Sequence, residues 1–123
     1  MVDYENGKVS HTIVEILHIA SICSTSSSNI GSEESNIPRK FSCVALTPVT
    51  GRTHQLRLHM AHIGHPIIGD TLYAPTDIIE LSPRLELHSY SLQCKHPCTG
   101  ESLDLIAPLT ISSKFLEHVP NLP

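Results

Sequence analysis

The amino-acid sequence predicts an α+β fold with a mixed, mostly antiparallel sheet and few short helices. Two stretches in the first half are β-branched or alternating in polarity, and a later pair of such stretches is joined by a turn. Only one segment between them has the apolar period of a helix. A length of 123 residues suits one small domain.

The first two strands are predicted from different apolar patterns. Residues 10–21 (SHTIVEILHIAS) are rich in β-branched side chains and almost continuously apolar, so we expect a strand that is covered on both faces. Residues 41–49 (FSCVALTPV) alternate between two faces and predict a second strand. Pro48 should end this strand, because proline has no amide hydrogen for the ladder.

The predicted helix follows a Thr-Gly turn at residues 50–51. Thr53 is its expected N-cap, and the helix should run to Ile63. Its apolar stripe has i, i+4, i+7 spacing and consists of Leu56, Met60 and Ile63. Gly64 supplies the C-terminal stop.

The remaining part of the chain predicts an irregular segment, a hairpin and a closing helix. Two prolines confine the irregular segment at residues 66–75. Strands at 84–96 and 101–108 are joined by the turn residues of PCTG, which indicates a hairpin. Residues 110–119 (TISSKFLEHV) predict a short helix.

We expect residues 1–123 to be a partial domain that contains one flexible insertion. The insertion spans residues 21–40, and its segment 21–38 contains seven serines and too little apolar surface to offset its ordering entropy. Some strands have two apolar faces, yet only two short helices are available to cover them. The domain therefore looks incomplete.

The composition excludes some classes of protein. There is no apolar run long enough for a transmembrane helix, and the first ten residues lack the basic and apolar regions of a signal peptide. The four cysteines form no CxxC pair, which indicates reduced thiols: Cys23, Cys43, Cys94 and Cys98. We expect an intracellular protein, in the cytoplasm by default, with a nuclear or organellar location left open.

The net charge of −4 hides an uneven distribution. No acidic residue occurs between Glu34 and Asp70, and this window contains the cations Arg39, Lys40, Arg52 and Arg57. The window is therefore +4 and the rest of the chain −8. Such a cationic strip is compatible with a local phosphate contact, although four cations in a window of this length also suit an ordinary surface.

Histidines in the same stretch raise the possibility of a metal site. They are His54, His59, His62 and His65. His59 and His62 share a helix face, but the pair lacks a neighbouring acid or thiol, so the signal for a ligand set is weak. We predict no metal, with a small zinc-binding module through Cys94 and Cys98 as the alternative. No GxSxG elbow, activated cysteine or P-loop is present, so acyl and phosphoryl transfer have no support.

A nucleic-acid contact is the third possibility for this stretch. A helix N-terminus with Arg52, His54 and Gln55 beside it presents cation, imidazole, carboxamide and backbone amides to a phosphate. Arg57 borders the apolar stripe, so its guanidinium should be partly buried and should require an anion. No acidic residue is near it in sequence. The expected partner is therefore distant, or outside this chain.

The motif TGRTHQLRLHMAHIGHPIIGDTLYA, residues 50–74, resembles the C-terminal signature of the RluA-type RNA pseudouridine synthases. ENGKVSHTIVEIL before it and SPRLELHSYSLQCKHPCTGESLDLIAPL after it are also similar to the family. The resemblance thus covers most of the chain outside the Ser-rich insertion. It implies the C-terminal half of a pseudouridine synthase catalytic domain, which isomerises uridine in rRNA or tRNA without a cofactor.

The resemblance also implies roles for individual residues. Arg57 matches the basic active-site residue that pairs with the catalytic aspartate. The preceding residues would contact the RNA backbone or the flipped nucleotide, and they are Arg52, Thr53, His54 and Gln55. Asp70 and the residues Gly64, Pro66 and Gly69 match architectural positions, and Tyr73 matches a position expected to serve packing.

The sequence departs from the family pattern in one important respect. The family's Arg-Leu-Asp-x-x-Thr-Ser-Gly motif, which carries the catalytic aspartate, does not occur in it. The Arg84-Leu85-Glu86 triplet resembles that motif only superficially and aligns with the late hairpin. We therefore expect this chain alone to be inactive, to need the upstream half of the domain, and to expose an apolar sheet face or edge that promotes self-association. A non-catalytic RNA-binding remnant is the alternative.

Overall fold

The computed structural model describes residues 5–22 and 39–109, together with Phe115. In chain order they form strand β1 (Thr12–Ile22), strand β2 (Arg39–Pro48), helix α1 (Gln55–His62), helix α2 (Thr76–Ile79), strand β3 (Ser91–Lys95) and strand β4 (Ser102–Ile106). β1 pairs with β2 and β3 pairs with β4, and both pairs are antiparallel. The predicted α+β class, with antiparallel pairing and few short helices, is confirmed. Among the described residues, no helix is long and apolar enough to span a bilayer.

The β1–β2 pair lies close to the predicted strand positions. Its register runs from Thr12 opposite Pro48 to Ile22 opposite Arg39, so the second strand ends at Pro48 as predicted. The register shifts between Ile16 and His18, which is the geometry of a β-bulge. Because a bulge adds one residue to β1, the alternation of its side chains between the two faces changes at this point.

The described core is small and lies near the two ends of this ladder. Met60 of α1 is buried and lines a shallow groove with Thr12 and Val14 of β1. Towards the other end, the ring of Phe115 packs edge-to-face on that of Phe41 at a centroid distance of 5.2 Å. Phe115 and Ile22 are both buried. The long middle part of β1 lies between these two packed regions.

The prediction that the first strand is covered on both faces is wrong for the described residues. The exposed fractions of its apolar side chains include 51% for Ile13, 62% for Ile16 and 57% for Ile19. The strand composition indicated burial on both faces, but in the described part of the chain α1 contacts β1 at its start, where Gln55 and His59 bond to Thr12. The exposed apolar sheet surface that we expected from an incomplete domain is present instead.

Helix α1 is shorter than predicted and begins differently. Its N-cap is His54, not Thr53, and no side chain caps it. At its C-terminus the amide of Gly64 donates to the carbonyl of Ala61, and that of His65 donates to Met60. This is a Schellman arrangement with Gly64 at φ +82°, so the predicted glycine stop is confirmed.

The later elements agree only in part with the prediction. The hairpin is present with Gly100 in its turn at φ +71°, but its first strand begins at Ser91 and residues 84–90 are not a strand. The start of this segment contacts the loop before α2, as in the bond from the Glu86 amide to the Ile68 carbonyl. At its end the Tyr90 carbonyl accepts from the amide of Ala107, which follows β4. The short helix α2 was not predicted. The predicted closing helix at 110–119 lies outside the described residues, apart from Phe115.

Gly69 occupies a position that only glycine fits. Its φ is +76°, and a Cβ atom there would overlap the backbone carbonyl of Arg84. The 2.9 Å bond from the Glu86 amide to Ile68 holds the same two segments together. The close approach of these backbones fixes the position of the next residue, Asp70.

We predict that Gly69→Ala lowers the free energy of unfolding by about 2–4 kcal/mol, since strain at positive φ adds to the steric overlap. Gly64→Ala is the matched control, because Gly64 has a similar φ but no neighbouring atom within 4 Å of an added Cβ. For the control, the free energy of unfolding should fall by about 1 kcal/mol. Urea unfolding followed by circular dichroism measures both. Equal losses would contradict the importance of the Arg84 contact.

Candidate active site

The candidate site is centred on an ion pair between α1 and the loop that follows it. The Nε and Nη2 atoms of Arg57 donate to the two carboxylate oxygens of Asp70, at 3.0 and 2.5 Å. The side chain of Asp70 is fully buried, and that of Arg57 is 16% exposed. The contact is therefore bidentate and largely removed from water, which makes it both stronger and more directional than a surface pair.

This ion pair corrects one inference from the sequence. We expect from the sequence that the partner of Arg57 is distant or outside the chain, but in the structure Asp70 lies beside it. Asp70 is the first acid after the acid-free window, thirteen residues beyond Arg57. The prediction failed because the turn at Gly64 brings the loop back along the helix, whereas sequence distance alone suggested separation.

The loop around Asp70 is built to hold an ionised carboxylate. Its Oδ1 atom also accepts hydrogen bonds from the amides of Leu72 and Tyr73, at 3.0 and 3.2 Å. The hydrogen bond from Arg57 holds the pKa of Asp70 below its usual value, against the opposing effect of burial, and the two amides lower it further. Asp70 therefore carries its negative charge at neutral pH.

Tyr73 joins the ion pair to the turn before α1. The guanidinium carbon of Arg57 lies 5.2 Å from the centroid of the Tyr73 ring, which is cation–π geometry. The Tyr73 hydroxyl is 2.8 Å from Nδ1 of His54. His54 has φ +51°, an unusual conformation for a residue other than glycine. The bond to Tyr73 helps to hold this strained turn against α1.

The four residues predicted to contact RNA are adjacent but differ in exposure. Arg52, Thr53 and His54 are exposed around the turn, so their side chains are accessible to a ligand. Gln55 is 5% exposed. Its Oε1 atom accepts from the Thr50 hydroxyl and the Arg52 amide.

The NH2 group of the Gln55 side chain also makes its hydrogen bonds within the chain. Its Nε2 atom donates to the carbonyl of His11 and the hydroxyl of Thr12, both at 2.9 Å. Thr12 and Ser10 in turn contact the two ring nitrogens of His59, at 2.8 and 2.9 Å. This network joins the start of β1 to α1, so Gln55 and His59 orient the helix that carries Arg57.

The histidines and cysteines do not converge in the described part of the chain. No group of three His, Cys, Asp or Glu side chains there is arranged to hold a metal ion. Cys43, Cys94 and Cys98 are free thiols. His59 uses both ring nitrogens in the network with β1, which is the hydrogen-bonding role that the sequence favoured over ligation.

The sequence singled out Arg57 as a candidate but did not indicate that Asp70 and Tyr73 are its direct neighbours. The family resemblance implies an architectural role for Asp70 and a packing role for Tyr73. Both residues do shape the loop, yet each also contacts the guanidinium. The available signal was an arginine that borders an apolar stripe and needs an anion, together with the first acid after a tight glycine turn.

Comparison with known proteins places this chain in a family. The family model described as RNA pseudouridylate synthase matches residues 1–62, which include the turn and α1. The chain therefore belongs to the RNA pseudouridine synthase family, in its RluA-type branch.

Individual relatives agree with this assignment. The chain is 43% identical over 105 residues to the dual-specificity RNA pseudouridine synthase RluA of Pasteurella multocida, and 39% identical over 105 residues to that of Escherichia coli K12. Each match covers 85% of this chain and 40% of the relative. The chain thus spans about 40% of the length of these curated relatives.

A solved structure has a similar fold. The human RNA pseudouridylate synthase domain containing 1 superposes with a TM-score of 0.63 at 33% sequence identity. The match covers 85% of this chain and 36% of the human chain. The described elements therefore correspond to part of a larger known architecture.

We predict that Asp70→Asn destabilises the chain by about 2 kcal/mol at neutral pH, because it replaces the charged acceptor of two hydrogen bonds from Arg57 at a buried position. The pKa of Asp70 is lowered in the folded state, so its contribution is complete above the usual value of 3.8 and is lost as the pH falls through the folded-state pKa. The difference between wild type and variant should therefore shrink in acid, as measured by urea unfolding between roughly pH 7 and pH 2.

Asp77→Asn is the control for this prediction. Asp77 pairs with Arg39 at 2.9 Å, but both side chains are about half exposed. Its substitution should cost less than about 1 kcal/mol. A difference between wild type and Asp70→Asn that stays constant down to the lowest pH would contradict the assigned role of the carboxylate.

Proposed function

We propose that this chain supplies the arginine half of the uridine-isomerising site of an RNA pseudouridine synthase that acts on rRNA or tRNA. The observation that carries the proposal is the geometry of Arg57. Asp70 fixes the Nε and Nη2 side of the guanidinium, and Nη1 makes no hydrogen bond within the described part of the chain. A rigid cation with a donor to spare is suited to hold a second anionic group.

The chemistry implied by the family defines that second group. An aspartate attacks the ribose or the uracil of a flipped uridine, and the detached base turns and rejoins the sugar through C5. Arg57 would orient this aspartate and favour its ionised form through its positive charge. Arg57 does not exchange protons in this role, because a guanidinium stays charged throughout the working pH range.

The turn before α1 is the proposed RNA-contacting surface. Arg52, Thr53 and His54 are exposed beside Arg57, and they offer a cation, a hydroxyl and an imidazole to phosphate or to a flipped nucleotide. Gln55 was predicted to contact RNA as well. Since its side chain is buried and all its polar positions are used, we assign it the role of shaping this turn.

The attacking aspartate is proposed to come from outside residues 1–123. The sequence has no Arg-Leu-Asp-x-x-Thr-Ser-Gly motif. Glu86 of the superficially similar triplet accepts hydrogen bonds from Ser82 and Arg84, at 2.6 and 3.5 Å. Both oxygens of that carboxylate accept hydrogen bonds from residues of the same loop, which argues against Glu86 as the nucleophile.

We predict that the isolated chain does not release tritium from RNA labelled at C5 of uridine. A longer natural polypeptide that also carries an Arg-Leu-Asp segment should release it, and Arg57→Ala in that polypeptide should lower the rate by at least about 100-fold. Turnover by the 123-residue chain alone would refute the division of the site. An inactive longer polypeptide with that segment intact would refute the enzymatic proposal.

The second candidate is a non-catalytic RNA-binding remnant of such an enzyme, which is consistent with the lack of an Arg-Leu-Asp-x-x-Thr-Ser-Gly motif within residues 1–123. It predicts RNA binding without turnover under every condition. Sequencing the transcript upstream of the codon for residue 1 would distinguish the two candidate functions. An in-frame Arg-Leu-Asp segment supports the enzyme, and its absence supports the remnant.

Both candidates predict that Arg52 contributes to RNA binding. Arg52→Ala should weaken binding about equally for different RNA sequences and reduce the slope of log affinity against log salt by about 1. Arg39→Ala removes the same charge on β2, where Arg39 already pairs with Asp77, and should leave binding nearly unchanged. Fluorescence anisotropy at several salt concentrations measures both variants. Equal losses for the two would indicate a non-specific charge effect.

A further inference from the structure

We infer that Asp70 is a positioning residue for catalysis: it holds one edge of the Arg57 guanidinium so that Nη1 remains available to the attacking carboxylate. The inference rests on the proposed function and extends it to a residue that the sequence had placed in the architecture of the loop. It follows from the orientation of the ion pair and from the way in which the loop is locked.

The geometry divides the guanidinium into two parts. The Nε and Nη2 side forms the bidentate contact with Asp70. The Tyr73 ring covers the guanidinium at 5.2 Å. With one edge bonded and a face covered, the side chain cannot rotate freely about its long stem. The remaining donor, Nη1, then has a restricted direction, which lowers the entropy cost of meeting a second carboxylate.

The loop makes Asp70 a rigid support. Its carboxylate accepts hydrogen bonds from the amides of Leu72 and Tyr73. The preceding residue, Gly69, lies close to the backbone of Arg84. A displacement of Asp70 would therefore have to disrupt several contacts at once. A rigid acid buried behind an arginine positions that arginine better than a solvent-exposed partner could.

The charges of the cluster also affect the attacking group. Among the described residues, the ionisable groups around Arg57 are Asp70 on the following loop and Tyr73, with His54 beyond the Tyr73 hydroxyl. Asp70 partly neutralises Arg57 and is itself a negative charge near the second carboxylate. Removing that charge should therefore make the attacking aspartate easier to ionise, and should lower its pKa.

Asp70→Asn separates positioning from loop structure. The asparagine Oδ1 atom can still accept from the two loop amides, but its NH2 group would face the Nε–H donor of Arg57. In the longer polypeptide with the Arg-Leu-Asp segment, kcat should fall by about 100-fold with little change in KM. The acid limb of the pH–rate profile should move to lower pH, which a purely structural role would not produce. The control Asp77→Asn should leave both unchanged.

A second measurement does not depend on activity. In the isolated chain, side-chain nitrogen NMR should show a slowly exchanging Nε–H signal for Arg57 and distinct Nη1 and Nη2 groups. Sodium acetate, as a carboxylate probe, should shift Nη1 selectively. In Asp70→Asn the distinction and the selectivity should both be lost. A wild-type Arg57 with equivalent Nη groups, or acetate that displaces Asp70, would overturn the inference.

Arg57→Lys covers the case in which Asp70→Asn does not fold. Lysine keeps the charge and the loop carboxylate but lacks a second donor edge, so kcat should fall about as much without a shift of the acid limb. Wild-type kcat in either variant overturns the inference while the proposed function stands. If the wild-type longer polypeptide is inactive although the NMR result is as expected, the proposed function fails and the assignment of the Arg57 edges survives.

Discussion

The buried ion pair between Arg57 and Asp70 is the constraint on which the rest of the site depends. A carboxylate without solvent exposure must be fully hydrogen-bonded, and this requirement determines the loop that carries it. The amides of Leu72 and Tyr73 point inward for this reason, and Gly69 allows the loop to pass close to Arg84. The local backbone is thus organised around one charge.

The placement of α1 depends on polar contacts more than on a large apolar core. Few described side chains are buried, and the middle of β1 is exposed. The helix is joined to the start of β1 through Gln55 and His59, whose polar atoms are all paired with neighbouring groups. Hydrogen bonds are directional, so a small network can fix the orientation of a helix where apolar packing is limited.

The elements were predictable where local chemistry determines them. Alternation and Pro48 located the second strand, and Gly64 located the end of α1. The start of α1 was not predictable, because His54 adopts a left-handed conformation that is supported by the distant Tyr73. Arg57 could be singled out as a candidate, since a cation beside an apolar stripe is unusual. Its partner was missed because ion pairing depends on the path of the loop, which residue spacing does not reveal.

The internal use of Gln55 has a consequence for how mutations in this motif are interpreted. It directly follows Arg52, Thr53 and His54, whose side chains are exposed, so a survey of substitutions scored by activity alone would group it with them. Its loss would instead release the contacts of His11 and Thr50 with the turn and let the helix shift. A substitution in a recognition motif can therefore lower activity because it loosens the contact between two segments of the chain, even though the substituted residue does not touch the ligand.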